Sequence, residues 1–186
     1  MVYNGYLKIN EKLSNDEYMI KIPNYEIQTF FKKGFIDKFL VSGNYFNPMM
    51  DALLDGDIEE FERRLQNIFL INTSFHDLKG EKVYHSLFLG MLIWLRDSYE
   101  VKSNGERWHG RYDATLIPLD KIKPAFVFEF KVSKTIKGLI TKAEEALAQI
   151  KEKKYDAGLK EKGISKVYRI GIAFKGKNVK VKYEIA

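Results

Sequence analysis

Apolar and polar residues alternate with a period of two in several segments of the chain and follow helical spacing in others. Two alternating segments, residues 5–9 and 18–22, flank a polar, turn-rich stretch and predict a β-hairpin. Apolar residues three or four positions apart then predict three helices, which begin at Asn24, Asn47 and Asp57. Residues 1–78 are thus predicted to form a hairpin and a helical region without a catalytic constellation.

The rest of the chain alternates between predicted helices and strands. A strongly apolar helix is predicted over residues 81–98, and a second helix, rich in Ala, Glu, Leu and Lys, over residues 139–155. Strands are predicted at residues 99–102, 111–117, 125–132, 167–174 and 179–185. The order α-β-β-β-α-β-β indicates an α/β (α+β) domain over residues 79–186, preceded by the N-terminal region 1–78.

Charge is distributed unevenly between these two regions. The 186 residues have a net charge of +6. Residues 1–78 hold 8 Lys/Arg and 12 Asp/Glu, a net of −4, whereas residues 79–186 hold 23 and 13, a net of +10. A basic region favours a polyanionic partner, because neutralised phosphates release counterions. The alternative is a lysine-rich surface that serves solubility alone.

Composition excludes several kinds of site and location. The chain has no cysteine, which rules out disulfides, thiolate zinc sites and cysteine nucleophiles. No apolar run approaches the ~18 residues that a membrane helix needs. We therefore expect a cytoplasmic protein without a membrane partner.

Two charged side chains interrupt the most apolar predicted strand, residues 125–132. With a period of two, Glu129 and Lys131 share one face of the strand, while Phe128 and Phe130 lie on the other. Charges in a buried central strand are costly unless they are paired or bind a cation. The alternative is an ion pair on an edge strand that faces water, and the strand alone does not decide between the two.

A third charged residue favours a bound cation over an ion pair on an edge strand. Asp113 lies in the preceding predicted strand and can project beside Glu129 if the two strands are neighbours. Two adjacent carboxylates repel each other unless a cation lies between them. Oxygen ligands of this kind suit Mg²⁺ or Mn²⁺, completed by water and substrate phosphate. With Lys131 beside them, the set fits metal-assisted hydrolysis of a phosphodiester.

Asp113, followed after fifteen residues by Glu129-Phe130-Lys131 between two helices, resembles the PD-(D/E)XK nuclease superfamily. The resemblance implies a restriction-endonuclease-like αβββαβ core with a mixed central sheet, here with an N-terminal hairpin and helical appendage. Five segments resemble one branch, the nuclease-like domain at the C-terminus of predicted AAA-type ATPases. These segments are Tyr84–Gly90, Gly110–Asp113, Phe128–Val132, Ala143–Ile150 and Gly171–Phe174. The family's name-giving proline is absent, since Tyr112 precedes Asp113.

The resemblance assigns roles to the three charged residues. Asp113 and Glu129 would bind the metal, Mg²⁺ or Mn²⁺, and Lys131 would position or activate water and stabilise charge. Glu81, in the first core helix, occupies the place where some members carry another acidic ligand.

Two further residues are catalytic candidates with equally good alternatives. His85 shares a helix face with Glu81 and is either catalytic or a hydrogen-bonded core histidine. Gln149 matches a glutamine that some members bring near the site, or else it lies on a helix surface.

Basic and aromatic residues near these positions are candidates for nucleic-acid contacts. Arg107, Trp108 and Arg111 lie in the loop before Asp113, where Trp108 either stacks on a base or packs against the core. Lys134 and Lys137 follow the Glu129 strand and form either a phosphate track or a solvated face.

The sequence therefore predicts a divalent-metal-dependent nuclease that hydrolyses nucleic acid, DNA rather than RNA. The alternative is a non-catalytic nucleic-acid-binding or regulatory module of an ATPase assembly. No Gly-x-x-x-x-Gly-Lys-Ser/Thr motif occurs, so an AAA-type ATPase would act as a module elsewhere in a longer chain or as a separate partner. Many superfamily members act as dimers, which makes a homodimer an expectation by analogy.

Overall fold

A computed structural model of the chain describes residues 8–12, 18–21, 26, 43–72, 81–103, 106–107, 110–111, 113–154 and 157–186. The predicted hairpin is present as strands β1 (Lys8–Lys12) and β2 (Tyr18–Lys21), which pair antiparallel. Strand β1 ends later than predicted, because the ladder continues through polar residues past an irregularity at Ile9/Glu11, and the predicted residues 5–7 lie outside the described part of the chain. The helix predicted from Asn24 falls on residues of which only 26 is described, and it stays a prediction.

Two helices follow in the N-terminal region. Helix α1 (Gly43–Asp55) begins before the predicted Asn47, so that Pro48 lies inside it and removes one backbone hydrogen bond. Helix α2 (Ile58–Asn72) begins as predicted after Asp57, whose Oδ1 accepts a hydrogen bond from the backbone N–H of Glu60 at 3.0 Å. This contact satisfies one of the amide groups left free at a helix start.

The described part of the second region carries the main sheet and three helices. The helices are α3 (Glu81–Leu92), α4 (Leu139–Glu152) and a short α5 (Ala157–Lys160). The long strands are β3 (Tyr99–Ser103), β6 (Ala114–Pro118), β7 (Ala125–Val132), β8 (Val167–Lys175) and β9 (Asn178–Ile185). Between β3 and β6, strands β4 (Glu106–Arg107) and β5 (Gly110–Arg111) form a two-residue ladder.

The five long strands form one mixed sheet in the order β3-β6-β7-β8-β9. Strands β7 and β8 are parallel, and the other neighbours are antiparallel. Because α4 lies between the two parallel strands in sequence, it supplies the crossover connection that parallel strands need. The expected αβββαβ core with a mixed sheet is confirmed, with β9 added at its edge.

In the second region, three predicted elements differ from the structure by more than one residue. Helix α3 stops at Leu92 and continues as a 3₁₀ turn over Ile93–Leu95 instead of reaching residue 98. Helix α4 stops at Glu152, before a turn in which Lys154 has a φ of 50°. The strand predicted over 111–117 is divided into β5 and β6, because the chain bends at Asp113 and changes its pairing partner.

The sheet is covered on both faces. One face packs against α1, α2 and α3 through a large apolar cluster that includes Phe46, Phe61, Phe88, Phe128 and Phe174. The other face packs against α4 through smaller clusters. Helices α1 and α2 thus share a core with the sheet, and the division of the chain between residues 78 and 79 stays a prediction because residues 73–80 are outside the described part.

None of the helices in the described ranges is long and apolar enough to span a membrane.

Side chains of α2 protect the outer edge of the sheet. Strand β9 is an edge strand, and unpaired edge amides invite association with other chains. Gln66 accepts a hydrogen bond from the N–H of Val179 at 2.8 Å and donates one to the carbonyl of Lys177 at 2.7 Å. Glu62 accepts from the N–H of Val181 at 3.0 Å.

Replacing Gln66 with alanine removes two hydrogen bonds between α2 and β9 at once. We expect Gln66→Ala to lower the free energy of unfolding by about 1 kcal/mol, because the two hydrogen bonds that it removes are partly buried. Urea denaturation followed by circular dichroism measures this change. Arg63→Ala, which removes an exposed ion pair on the same helix, is the control and should change stability little. Equal effects of the two substitutions would contradict the edge-capping role.

Candidate active site

A buried carboxylate lies at the centre of the sheet. Glu129 is on β7, the middle strand, and its exposed fraction is only 3%. The strand alternates as predicted, since Phe128 and Phe130 join the large apolar cluster while Glu129 faces α4. The alternative of an edge-strand ion pair facing water therefore does not apply to this residue.

Two side chains hold the same oxygen of Glu129. The ammonium of Lys131 donates to Glu129 Oε1 at 2.8 Å, and Nε2 of Gln149 donates to it at 2.5 Å. Lys131 lies two residues from Glu129 on the same face of β7, whereas Gln149 belongs to α4, the helix that covers this face. The second oxygen, Oε2, is buried and has no hydrogen-bond partner among the described residues. Since buried polar atoms are nearly always paired, this oxygen is where a ligand is expected.

Asp113 comes to the same place through the bend before β6. The pairing of Ala114 with Phe128 sets Asp113 opposite Glu129 at the end of the β6–β7 ladder. Its Oδ2 accepts a hydrogen bond from the backbone N–H of Phe130 at 2.7 Å. The sequence does not predict the bend. It does predict that Asp113 projects beside Glu129 if the two strands are neighbours, and β6 and β7 are neighbours.

His85, from α3, touches the backbone of this bend. Its Nε2 lies 2.9 Å from the carbonyl oxygen of Asp113, and its ring packs edge-on against Phe130 at 5.8 Å between ring centres. Because a carbonyl only accepts, Nε2 must carry the proton and donate it. This contact places His85 at the backbone of Asp113, and its catalytic role stays a prediction.

The remaining candidates lie on α3, in the loop after β7 and in the β4–β5 ladder. Glu81 is exposed at the start of α3, close enough for its charge to act on Glu129 and Lys131. Lys134 and Lys137 are exposed in the loop between β7 and α4. The backbones of Arg107 and Arg111 lie in the β4–β5 ladder.

Trp108 lies outside the described residues, so its predicted stacking role stays a prediction.

Sequence reasoning missed one polar residue on the site face of the sheet. Thr115 is 3% exposed, and its Oγ1 has no partner among the described residues. It lies two positions after Asp113, and its pairing with Val127 keeps it on the same face as Glu129. Thr115 is two residues from Asp113 in an otherwise apolar predicted strand, and residues at this spacing share one face of a strand. This pattern in the sequence could have identified it.

The electrostatics of the cluster are dominated by burial. Burial raises the pKa of Glu129 from an ordinary 4.5 to about 7; the hydrogen bond and charge of Lys131 oppose this shift, and the charges of Asp113 and Glu81 add to it. For Lys131, burial acts to lower the pKa, but Glu129, with Glu81 and Asp113, outweighs it and raises the pKa above its usual value. Lys131 is therefore an ammonium at neutral pH.

The donor set fits a hard divalent cation. Within the described ranges no group of three or more His, Cys, Asp or Glu side chains is arranged to hold a metal ion. Mg²⁺, however, is commonly held by only one or two carboxylates, with water and substrate phosphate completing its shell. Asp113 and the free Oε2 of Glu129 are the oxygens available for this.

The sequence profile of the PD-(D/E)XK nuclease superfamily matches residues 79–184. The chain belongs to this superfamily. A comparison with curated proteins gave no match. The matched range covers both core helices and the five long strands up to residue 184, so Asp113, Glu129 and Lys131 lie in the part of the chain that is a PD-(D/E)XK domain. Superfamily members are generally nucleases, and nuclease activity on nucleic acid is accordingly the activity class that membership indicates.

The raised pKa of Glu129 predicts how stability depends on pH in this PD-(D/E)XK domain without metal. Between pH 4.5 and about 7 the folded state keeps a proton that the unfolded chain has lost. The contribution of Glu129 to the free energy of unfolding is therefore fully present below pH 4.5 and is lost as the pH rises through 7. Glu129→Gln, which does not titrate, removes this dependence.

Urea denaturation in EDTA at a series of pH values, comparing wild type with Glu129→Gln, measures the difference. We expect the wild type to lose stability relative to the variant as pH rises across this window. Glu152→Gln, an exposed carboxylate at the end of α4, is the control and should run parallel to wild type. A wild-type curve that also parallels Glu129→Gln would contradict the shift.

Proposed function

We propose that this chain is a divalent-metal-dependent nuclease that hydrolyses phosphodiester bonds, and that its substrate is DNA rather than RNA. The observation that carries the proposal is the state of Glu129. One of its oxygens is held by Lys131 and Gln149, and the other is buried and has no partner among the described residues, on a residue that lies opposite Asp113. A fold that leaves a buried carboxylate oxygen unpaired is well explained if a cation and its substrate complete the site.

In this proposal Asp113 and Glu129 bind Mg²⁺ or Mn²⁺. When bound, such an ion polarises a phosphoryl oxygen and makes water a better nucleophile. The hydrogen bond from the Phe130 N–H fixes one oxygen of Asp113, and Gln149 fixes one oxygen of Glu129. Both carboxylates are thus held in one orientation before a ligand arrives, which lowers the entropic cost of binding it.

Lys131 acts as a cation in this mechanism. Its raised pKa keeps the ammonium protonated, so it donates hydrogen bonds to water or to the developing negative charge on phosphate oxygens. It is poorly suited to remove a proton from water while it is paired with Glu129. His85 supports the site indirectly, by its hydrogen bond to the carbonyl of Asp113.

The substrate class rests on charge and on the fold. The net charge of +10 over residues 79–186 favours a polyanion. The restriction-endonuclease-like core suggests DNA first. The link to an AAA-type ATPase, the homodimer and the cytoplasmic location follow from the sequence arguments alone and remain predictions.

Loss of the site carboxylate is the direct test of catalysis. We expect purified wild type to cut plasmid, linear or single-stranded DNA with Mg²⁺ or Mn²⁺ and to be inactive in EDTA. Glu129→Gln, which keeps the size of the side chain, should reduce cutting to background, and Lys131→Ala should lower kcat by about 10²–10³-fold, as for loss of one charge-stabilising donor. Gel assays of each variant measure these effects, with RNA as a parallel substrate.

Glu145→Ala, which removes an exposed carboxylate from α4, is the matched control and should cut like wild type. Equal cutting by wild type and Glu129→Gln would show that the site is wrongly assigned. Salt-sensitive binding without cutting would favour the non-catalytic nucleic-acid-binding module instead.

Lys134 and Lys137 are expected to contact phosphates, because they are exposed in the loop that follows β7, the strand of Glu129. Each alanine substitution should weaken DNA binding at all sequences and lower the slope of log K against log salt concentration by about 1. Fluorescence anisotropy at several salt concentrations measures the slope. Lys160→Ala and Lys162→Ala are the controls, because these two lysines are exposed in and after α5. If the controls lower the slope as much as Lys134→Ala and Lys137→Ala do, DNA is attracted by the overall positive charge and not by this loop.

A further inference from the structure

One glycine lies where the helix that carries Gln149 meets the sheet. Gly171 is on β8 and pairs directly with Glu129 across the parallel β7–β8 ladder. Residues paired in this way project on the same face of a sheet, so Gly171 lies beneath α4, next to the site carboxylate. It is fully within the described part of the chain and buried.

Helix α4 approaches the strand so closely that only glycine fits. A Cβ atom added at Gly171 would lie 2.3 Å from the carbonyl oxygen of Ala143, 2.6 Å from the amide nitrogen of Leu147 and 3.0 Å from the Cβ of Ala146. The first two are backbone atoms of α4, which cannot turn aside as a flexible side chain can. To restore an ordinary C···O contact of about 3.3 Å the helix would have to retreat by about 1 Å.

The same contact sets the distance between Gln149 and Glu129. Gln149 is two residues beyond Leu147, and its Nε2 donates to Glu129 Oε1 at 2.5 Å. A retreat of about 1 Å would carry this pair to the limit of a hydrogen bond. Without Gln149, Oε1 would be held by Lys131 alone, and the carboxylate could rotate.

We propose that Gly171 is a positioning residue for the active site: by letting α4 lie directly on β8 it holds Gln149 on Glu129 and so keeps the free carboxylate oxygen directed towards the ligand. The part of this inference that concerns metal rests on the proposed function. The part that concerns the Gln149–Glu129 hydrogen bond does not, because that bond exists without a ligand.

Nuclear magnetic resonance of the glutamine side chains tests the hydrogen bond directly. The chain has three glutamines, Gln28, Gln66 and Gln149, so labelling glutamine with ¹⁵N gives three side-chain amide pairs. Gln149→Ala identifies its own pair, which should lie at the low field typical of a donor to a carboxylate. In Gly171→Ala we expect that pair to move to the position of a free amide.

Gly138→Ala is the matched control. Gly138 immediately precedes α4, and a Cβ there would lie 2.8 Å from Ser133 Oγ, so this substitution strains the same helix at its far end. The Gln149 signal should stay in place in this variant. If Gly171→Ala does not fold, Ala146→Val, which also enlarges the helix–strand contact, takes its place.

A double-mutant cycle shows whether Gly171 acts through Gln149. Manganese binding, measured by calorimetry, should weaken about 10–100-fold in Gly171→Ala and in Gln149→Ala, the usual cost of losing a partner of a ligand. Gly171→Ala combined with Gln149→Ala should bind no more weakly than Gln149→Ala alone. Losses that multiply would mean that the two residues act independently, which would overturn the proposal.

The outcomes separate this inference from the proposed function. If Gly171→Ala folds and its Gln149 signal does not move, the positioning role is overturned. It is also overturned if neither Gly171→Ala nor Ala146→Val folds, because Gly171 would then serve the fold alone. A moved signal in a protein that binds no metal supports the positioning role while contradicting the metal-dependent nuclease.

Discussion

The candidate active site depends on a carboxylate buried in the middle of a β-sheet. A charged group in apolar surroundings is unstable unless other groups compensate it, and within the described part of the chain only one oxygen of Glu129 has such partners. The pKa of Glu129 is raised because burial disfavours its ionised form more than Lys131 stabilises it. Burial of the ionised carboxylate is therefore unfavourable in the absence of a ligand, and a bound cation would stabilise it. Shifted pKa values of this kind are common at binding and catalytic sites.

Each layer of the molecule contributes one constraint to that carboxylate. The sheet brings Asp113 opposite Glu129 through the β6–β7 pairing. Helix α4 supplies Gln149 from one face, and α3 supplies His85 to the Asp113 backbone from the other side. The site is assembled where strand ladder and both helix layers meet, so it can be only as rigid as their packing.

The packing that provides this rigidity uses very small residues on one face and very large ones on the other. Ala143 and Ala146 of α4 lie against Gly171, which brings the helix backbone down to the strand. The opposite face is filled by phenylalanines that pack edge-on, such as Phe88 against Phe130 at 5.0 Å between ring centres. The close side carries the polar site, because a short helix–sheet distance lets a glutamine side chain reach a strand carboxylate.

The sequence by itself determined the order of the elements, the mixed fold class and the strand face shared by Glu129 and Lys131, because periodicity is a local property of the chain. The resemblance to the superfamily also came from short local motifs. Only the tertiary structure decided that the chain bends at Asp113, that Gln149 bonds Glu129, and that Gly171 lies under α4. These features join residues far apart in sequence, and their distances depend on how helices and strands pack, which no local pattern specifies.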